Sequence, residues 1–367
     1  MTAVADLAGE RHILVCCGSG GVGKTTTAAA LALEGARRGR NTVVVTVDPA
    51  RRLANALGLD ALSHTASEID PKLWDPEGEA APGGRLSALM LDSKSTFDEL
   101  VLKYAADTEQ GERILENRFY RNISSALSGT QEYMATEKLH ELHEEGGWDL
   151  IVVDTPPTRH ALDFIEAPAR LTRLLDNRLF RLVMAPTRAS FKVANLALVT
   201  FFRTVAKVIG SEVVEDLVAF FQAFEGMEDG FRQRARKVTQ LLGDRSTAFV
   251  LITSPSRDAI SEAGFFSRRL REGGLAIDGL VVNRIHPTFG ADHPQGVRAR
   301  SVALAGSELG ELYENLADFS ELAGRERRQL AGLEEAVGDV PVVRVPLLPS
   351  EVCDFTGLLA VGRHLVG

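Results

Sequence analysis

Short apolar runs recur along the chain at the length of β-strands, and most of them are continuously apolar rather than alternating. They occupy residues 13–17, 42–47, 86–91, 150–153, 248–252, 280–282 and 340–345. Continuously apolar strands are typical of a sheet that is covered on both faces. Helical segments lie between most of the runs, and this alternation predicts an α/β fold with a mostly parallel sheet of about seven strands, flanked by helices.

Two stretches depart from this alternation. Residues 96–145 are rich in Glu, Leu and Ala, and residues 167–242 contain no clear strand. We interpret both as helical insertions that together form a helical subdomain, which leaves residues 1–95, 146–166 and 243–367 as the α/β core. Residues 70–84 are rich in proline and glycine and predict an exposed loop.

A glycine-rich segment follows the first apolar run. Residues 18–26 read GSGGVGKTT, so the pattern G-x-x-x-x-G-K-[ST] begins at Gly18 and closes at Thr25. Glycines allow the backbone to curl so that successive N–H groups point at phosphate oxygens. Lys24 adds a positive charge near the β- and γ-phosphates, and the Thr25 hydroxyl is a ligand for Mg²⁺. A helix that begins near Lys24 adds its positive N-terminal end.

The sequence on either side fits this motif. Residues 12–17 predict a buried strand that enters the loop, and residues 26–33 predict an alanine-rich helix that leaves it. Strand, glycine-rich loop and helix in this order are the context that a phosphate-binding loop (P-loop) requires. We therefore predict the fold of a P-loop NTPase with an inserted helical subdomain, rather than a chance glycine-rich turn.

Two aspartates follow predicted strands. Asp48 comes directly after the run at residues 42–47, and Asp154 follows the run at residues 150–153. Ligands bind at the carboxyl ends of the strands in open α/β sheets, so both carboxylates are expected to face the P-loop. Asp154 suits the Mg²⁺ shell, and Asp48 suits orienting or deprotonating an attacking water. The alternative is that either aspartate only caps the helix that follows it.

Composition narrows the class of protein. The chain has 367 residues with a formal net charge of −9, which argues against nucleic-acid binding through bulk charge. No run of about 18 apolar residues occurs, so we predict no membrane span and at most peripheral or transient membrane association. Cys16, Cys17 and Cys353 form no C-x-x-C pair, and buried free thiols would fit a reducing, cytoplasmic compartment.

The order of the motifs resembles one known family. G-x-G-G-V-G-K-T-T is followed by V-D-P-A, D-T-P-P-T-x-H, V-V-N-R and V-P-L-L-P-S-E-V, from about residue 12 to residue 361. This set is similar to that of the arsenical-pump ATPase family, which includes cytoplasmic ATPases that target tail-anchored membrane proteins. The sequence looks most like an actinobacterial branch of that family.

The resemblance implies a set of nucleotide-binding residues. The residues that would cradle the phosphates of ATP are Gly20, Gly21, Val22, Gly23, Lys24, Thr25 and Thr26. Asp48 would activate water and, with Thr25 and Asp154, belong to the Mg²⁺ site, where Asp154 acts through water. Asn283 would contact adenine, and the loop at residues 346–352, beginning with Pro346 and Leu347, would line the base. The family works as dimers whose helical subdomains form a hydrophobic client groove.

Two departures from the family pattern affect these expectations. Ser19 stands where the family usually has a lysine that reaches the nucleotide of the opposite subunit. Arg51, Arg52 or Arg159 could supply the missing charge; otherwise turnover is slow, or a paralogous partner with an intact lysine completes the site in a heterodimer. The C-x-x-C pair that some members use for zinc at the dimer interface is absent from the sequence.

Two groups of side chains leave alternatives open. Eight of the 17 phenylalanines lie within residues 180–231, which indicates either an apolar groove for a hydrophobic helix or an ordinary helical core. His140 and His143 have the i, i+3 spacing of metal ligands, but the surrounding glutamates favour a solvated helix face.

The leading functional hypothesis is an ATPase whose nucleotide-driven dimer switch handles a hydrophobic client or partner, as in membrane-protein targeting. The alternatives are a nucleotide-binding regulatory subunit with little hydrolysis, favoured by Ser19, and an oxyanion-pump subunit. Arsenite capture would want clustered cysteines in the helical region, where the sequence has none. A septum-placement ATPase is disfavoured because residues 355–366 carry only Arg363 as a cation for a membrane surface.

Overall fold

The computed structural model describes residues 3–47, 52–59, 61–118, 120–121, 130–156, 158–176, 212, 216, 219–220, 223–287, 289 and 294–366. The chain divides into two compact units. The first comprises Met1–Met90, Glu145–Leu162 and Gly243–Gly367, and the second comprises Leu91–Glu144 and Asp163–Leu242. The division of the chain by function, into a nucleotide-binding core and a client-handling subdomain, stays a prediction.

The first unit is built on one eight-stranded sheet. Its strands are β1 Ile13–Gly18, β2 Asn41–Thr46, β3 Ser67–Glu68, β4 Arg85–Met90, β5 Leu150–Asp154, β6 Thr247–Thr253, β7 Gly279–Ile285 and β8 Val342–Pro346. Their order across the sheet is β3-β4-β2-β5-β1-β6-β7-β8, and every pairing is parallel except that of β3 with β4. The predicted α/β fold with a mostly parallel sheet is therefore confirmed.

The sheet has one strand more than the seven that carry apolar runs in the sequence. The additional strand, β3, has only two residues, both exposed and polar, so no apolar run marks it in the sequence. The seven longer strands do carry the apolar runs, and every residue of β1, β5 and β6 is buried. Burial of both faces of these central strands explains why their sequences do not alternate between apolar and polar residues.

Helices surround this sheet, among the residues that the structure describes. They are α1 Val4–Glu10, α2 Lys24–Arg37, α3 Arg52–Ala56, α4 Pro71–Trp74, α10 Arg257–Glu272, α11 Pro294–Ala303, α12 Glu308–Val337 and α13 Phe355–Val366. The predicted exposed loop at residues 70–84 is wrong in part, because α4 lies within it and Trp74 is only 2% exposed. The large apolar indole has a favourable free energy of burial, and its Nε1 donates to the Ile69 carbonyl at 3.3 Å.

The register of the sheet brings three strand ends together. β1 lies between β5 and β6, with Cys16 opposite Asp154 and Gly18 opposite Ile252. On the far side of β5, Thr46 of β2 is also paired with Asp154. Because all three pairings are parallel, the loops that follow β1, β2 and β5 leave the same edge of the sheet. That edge carries the candidate site.

The described part of the second unit is helical. Its helices are α5 Ser93–Tyr104, α6 Thr108–Glu116, α7 Thr130–Glu145, α8 Thr158–Asp176 and α9 Glu228–Leu242, with α7 and α8 lying partly in each unit. Phe224 and Phe231 are buried in its apolar cluster, with ring centroids 5.1 Å apart. These two therefore belong to a helical core. Most of the phenylalanine-rich segment lies outside the described residues, so the groove hypothesis stays a prediction.

A buried polar network joins α7 and α9. Arg234 is 4% exposed, and its guanidinium donates to Glu137 at 2.6 Å and to Glu144 at 2.7 Å. The Tyr133 hydroxyl donates to the other oxygen of Glu137. His140 is only 3% exposed and lies beside Glu144, so the expectation of a solvated face is wrong for this histidine. The sequence did not reveal the buried arginine that makes this face of α7 internal.

His140 should make the stability of the protein depend on pH. Burial and then the charge of Arg234 lower the pKa of His140 to about 4; Lys237 and His143 act in the same direction, and Glu144 opposes them. Between pH 6.5 and 4 the unfolded chain then binds a proton at His140 that the folded chain does not. The contribution of His140 to stability is therefore fully present above pH 6.5, and we expect about 2 kcal/mol of it to be lost by pH 5.

The measurement is the free energy of unfolding at pH 7 and at pH 5, for the native protein and for His140→Gln. The variant should lose less stability over this interval, whatever its stability at pH 7. An equal loss in both proteins would contradict the prediction.

No helix among the described residues combines the length and the apolar character needed to span a bilayer.

Candidate active site

The glycine-rich loop connects β1 to α2 at the centre of the sheet edge. A Cβ atom on Gly18 would lie 2.1 Å from the Ile252 carbonyl oxygen, so the exit from β1 requires glycine. Gly23, the N-cap of α2, has a φ of 94°, in the left-handed region that favours glycine. A Cβ atom on Gly23 would also lie 2.2 Å from the amide nitrogen of Asn283. The loop thus depends on glycine at both ends.

Lys24 is the first residue of α2 and is only 8% exposed. Its ammonium nitrogen donates to the backbone carbonyl of Ser19 at 2.9 Å, so the side chain folds back over the loop. A buried ammonium is costly without anionic or carbonyl partners. The position of Lys24, within the curve of the loop, is where a phosphate oxygen could replace that carbonyl.

Thr25 and Asp154 are in direct contact. The Thr25 hydroxyl donates to a carboxylate oxygen of Asp154 at 2.8 Å, and the Thr46 hydroxyl donates to the same oxygen at 3.1 Å. Asp154 is 1% exposed, at the end of β5. The two residues predicted from the sequence to serve Mg²⁺ are therefore brought together, and Thr46 is a third residue at this point that the sequence did not single out.

The backbone around Asp154 is held by its neighbours. The Asp154 carbonyl accepts from the N–H of Val47 at 3.3 Å, and the next residue, Thr155, donates through its hydroxyl to the Cys16 carbonyl at 2.7 Å. Cys16 and Cys17 beside it are fully buried, and burial raises the pKa of the Cys17 thiol to about 12 and that of Cys16 well above its usual range. The expected buried thiols are found, and their raised pKa values favour the protonated, less reactive form.

Asn283 and Arg284 approach the loop from the end of β7. The Asn283 amide donates to the Val22 carbonyl at 2.9 Å, and the Arg284 guanidinium donates to the Gly21 carbonyl at 2.9 Å. The structure therefore places Asn283 against the P-loop, and its contact with adenine stays a prediction. Sequence reasoning did not identify Arg284, although the V-V-N-R motif contains it.

Pro346 and Leu347 lie beside the end of β7. Pro346 is paired with Ile285, and the N–H of Leu347 donates to the Ile285 carbonyl at 2.9 Å. Leu347 is 47% exposed, which leaves an apolar surface at the same sheet edge as the loop. Its predicted contact with the base is compatible with this placement and remains untested.

Ser19 is a buried residue of the loop. A cavity of about 330 Å³ lies next to it, lined by Ser19, Gly20, Gly21, Val22, Ser254, Ser256, Asp258, Ala259 and Glu262. Four of the predicted charged residues cannot be placed here: Asp48 and Arg51 lie outside the described residues, as do the side chains of Arg52 and Arg159. Their predicted roles stay predictions.

The residues of the loop and its neighbour Asp154 fit a nucleoside triphosphate with Mg²⁺. The loop has the glycines that let N–H groups turn inward, the lysine ammonium lies within it, and a hydroxyl and a carboxylate meet at its end. Hydroxyl and carboxylate oxygens are the ligands that Mg²⁺ prefers. Gly20, Gly21, Val22, Gly23 and Thr26 lie in the same loop and the first turn of α2, where their N–H groups would add to the cradle.

Known proteins with similar sequences are ATPases, which is consistent with a nucleotide site at this loop. The family model described as anion-transporting ATPase matches residues 11–320. ATPase GET3C of Arabidopsis thaliana is 24% identical over 351 residues, which are 91% of this chain and 81% of the relative. ATPase GET3 of Malassezia globosa is 25% identical over 358 residues, covering 96% and 90% of the two chains. A putative arsenical pump-driving ATPase 1 of Aquifex aeolicus is 21% identical over 367 residues, covering 97% and 79%. The resemblance seen in the sequence motifs is confirmed.

Proposed function

This chain belongs to the anion-transporting ATPase family, and we propose that it is an ATP-driven switch whose hydrolysis cycle handles a hydrophobic client or partner protein. It is an ATPase, which converts ATP and water to ADP and phosphate. The observation that carries the proposal is the contact of Thr25 with Asp154 at 2.8 Å beside the buried Lys24. A P-loop of glycines, a lysine and a hydroxyl next to a buried carboxylate is the arrangement that phosphoryl transfer needs.

Each residue of the candidate site has a proposed part in ATP binding or hydrolysis. The loop N–H groups and the Lys24 ammonium hold the phosphates and stabilise the charge that develops on them. Thr25 and Asp154 would hold Mg²⁺, Asp154 through water, and the metal would supply positive charge to offset that of the phosphates. Asn283, Pro346 and Leu347 are proposed to face the base. Asp48 is proposed to orient the attacking water.

The client-handling part of the proposal rests on the relatives and on the chain's organisation. The relatives named GET3C and GET3, together with the motif set, support a role like that of tail-anchored-protein targeting ATPases. The helical segments inserted into the α/β core supply a separate unit in which a client could be held. We propose that the chain works as a dimer, either with a second copy of itself or with a paralogue.

A second candidate function follows from Ser19. A serine at this position of the loop cannot provide the cation that a lysine would, and the loss of such a charge costs orders of magnitude in rate. The chain would then be a low-activity nucleotide-binding subunit of a heterodimer. Phosphate release by the chain alone and by the chain mixed with a lysine-bearing paralogue separates the two: a rate that rises only in the mixture favours the subunit.

We expect Asp154→Asn to lower ATPase activity by about 10- to 100-fold at saturating Mg²⁺. Asparagine keeps an oxygen that can accept from Thr25, but it removes the negative charge on the cation side of the site. The measurement is steady-state phosphate release from ATP as a function of Mg²⁺ concentration, where the variant should require more Mg²⁺.

Thr46→Val is the matched control for Asp154→Asn. It removes the second hydroxyl bonded to Asp154 but leaves the carboxylate and Thr25 in place, so we expect a loss of less than about fivefold. Equal rates for the native protein and Asp154→Asn at all Mg²⁺ concentrations would refute the proposed site.

Client handling is tested with a synthetic helix of about 20 apolar residues bearing a fluorescent label. The proposal expects binding by the full chain to differ at least fivefold between ATP and ADP. A polar helix of the same length is the control. Binding that ignores the nucleotide, or that does not distinguish the two helices, argues against a client switch while leaving the ATPase assignment intact.

A further inference from the structure

Two successive residues at the end of β7 hold two successive carbonyls of the P-loop. The Arg284 guanidinium donates to the Gly21 carbonyl, and the Asn283 amide donates to the Val22 carbonyl, each at 2.9 Å. The N–H of Arg284 itself donates to the Asn283 side-chain oxygen at 2.9 Å. This last bond decides which way the amide faces, so that its NH₂ group points at Val22.

The contacts fix the direction of the loop's N–H groups. A peptide unit is planar and trans, so its C=O and N–H bonds point to opposite sides. With the Gly21 carbonyl held by Arg284, the N–H of Val22 must point away from Arg284. With the Val22 carbonyl held by Asn283, the N–H of Gly23 must point away from Asn283. These N–H groups are the ones that a P-loop uses to bind phosphate.

The arginine contact differs from the asparagine contact because its donor is charged, although both bonds are 2.9 Å long. A charged donor polarises the peptide that accepts its hydrogen bond. The N–H of Val22, in the same peptide unit as the Gly21 carbonyl, thereby becomes a better donor to an anion. The contact therefore orients this donor and strengthens it.

The backbone at Arg284 has an unusual conformation. Its φ is 62°, in the left-handed region that costs free energy for any residue with a side chain. The chain is held on the far side of this turn by Glu326, whose carboxylate accepts from the N–H of His286 at 3.0 Å and lies 2.7 Å from the His286 ring. Glu326 is buried on α12, so the turn is anchored to the body of the first unit.

We propose that Arg284 is a positioning residue for phosphate binding, which acts through the Gly21 carbonyl with Asn283 beside it. The proposal rests on the proposed function, because it concerns the same nucleotide site. Arg284 touches the loop from outside and needs no contact with ATP. Its removal should weaken the binding of ATP more than it slows the chemical step.

The test compares three substitutions at one position. Arg284→Ala removes the guanidinium, Arg284→Gly removes it and relieves the left-handed backbone, and Arg284→Lys keeps a cation that can still donate. We expect the Kd for a fluorescent ATP analogue with Mg²⁺ to rise about tenfold in the alanine and glycine variants, with KM following and kcat changing less than threefold. The lysine variant should recover part of the loss.

Arg344→Ala is the matched control. Arg344 is an exposed arginine on the adjacent strand β8, and it pairs with Glu334 rather than with the loop. Its replacement should leave the Kd within twofold of the native value. A glycine variant that binds ATP as tightly as the native protein would overturn the proposal, since relief of the backbone alone would then be sufficient.

A second measurement needs no nucleotide. Amide hydrogen exchange of peptides covering residues 18–25 should be faster in Arg284→Ala than in the native protein and unchanged in Arg344→Ala. Unchanged exchange would overturn the proposal even if ATP binding weakens. If the native protein neither binds nor hydrolyses ATP, the proposed function fails, and the exchange result still decides whether Arg284 positions the loop.

Discussion

Lys24→Ala is expected to reduce ATP hydrolysis by at least about 1000-fold, to the background of the assay. The ammonium is buried within the loop and is held by the Ser19 carbonyl at 2.9 Å, so it needs little reorganisation to meet a phosphate. Removal of the charge would take away the ammonium that we propose to bind the phosphates. The measurement is phosphate release at saturating ATP, with nucleotide affinity measured alongside.

Lys24→Arg is the companion to Lys24→Ala. It keeps the charge but replaces a compact ammonium with a planar guanidinium that does not fit the same buried space, so we expect most of the activity to be lost in this variant as well. Lys72→Ala serves as the control, because Lys72 is an exposed lysine on α4. If Lys24→Ala and the native protein release phosphate at the same rate, the isolated chain is not an ATPase at this site.

Gly23→Ala is expected to abolish nucleotide binding, with Kd raised by more than about 100-fold. Two costs act together. The φ of 94° is unfavourable for alanine by about 1 kcal/mol or more, and the new Cβ would lie 2.2 Å from the Asn283 amide nitrogen. Relief of that overlap must move either Asn283 or the start of α2, and either movement turns the loop's N–H groups.

Gly274→Ala is the control for the backbone strain of Gly23→Ala. Gly274 has a φ of 78°, but no atom would lie within 4 Å of the added Cβ. Gly274 follows the end of α10 and is not part of the loop. It should cost a similar 1 kcal/mol of stability and leave ATP binding unchanged. Loss of binding in both variants would mean that global destabilisation explains the result, and tight binding by Gly23→Ala would refute the loop geometry.

Most of the fold could be predicted from the sequence because the central strands are buried on both faces. Seven apolar runs, most of them continuously apolar, marked seven strands, and the glycine pattern located the loop between β1 and α2. β3 could not be predicted, since two exposed polar residues paired at an edge leave no pattern. The buried face of α7 was also missed, because its burial depends on Arg234, which lies about a hundred residues further along the chain.

The residues of the candidate site likewise include some that the sequence predicted and some that it did not. Lys24, Thr25 and Asp154 were predicted because a motif or a strand end marks them, and they do lie together. Thr46 and Arg284 were not singled out, although each touches a predicted residue or the loop itself. Each contact joins positions far apart in the chain, 108 residues for Thr46 with Asp154 and 263 for Arg284 with Gly21, so a local sequence pattern does not reveal it.

The difference in burial among the three cysteines provides a native labelling site. Cys16 and Cys17 are buried with raised pKa values, whereas Cys353 is exposed. A maleimide dye should therefore react with Cys353 alone and leave the sheet intact. Cys353 directly follows the segment 346–352 that is expected to line the base, so a fluorophore at this thiol could report the arrival of a nucleotide without any engineered cysteine.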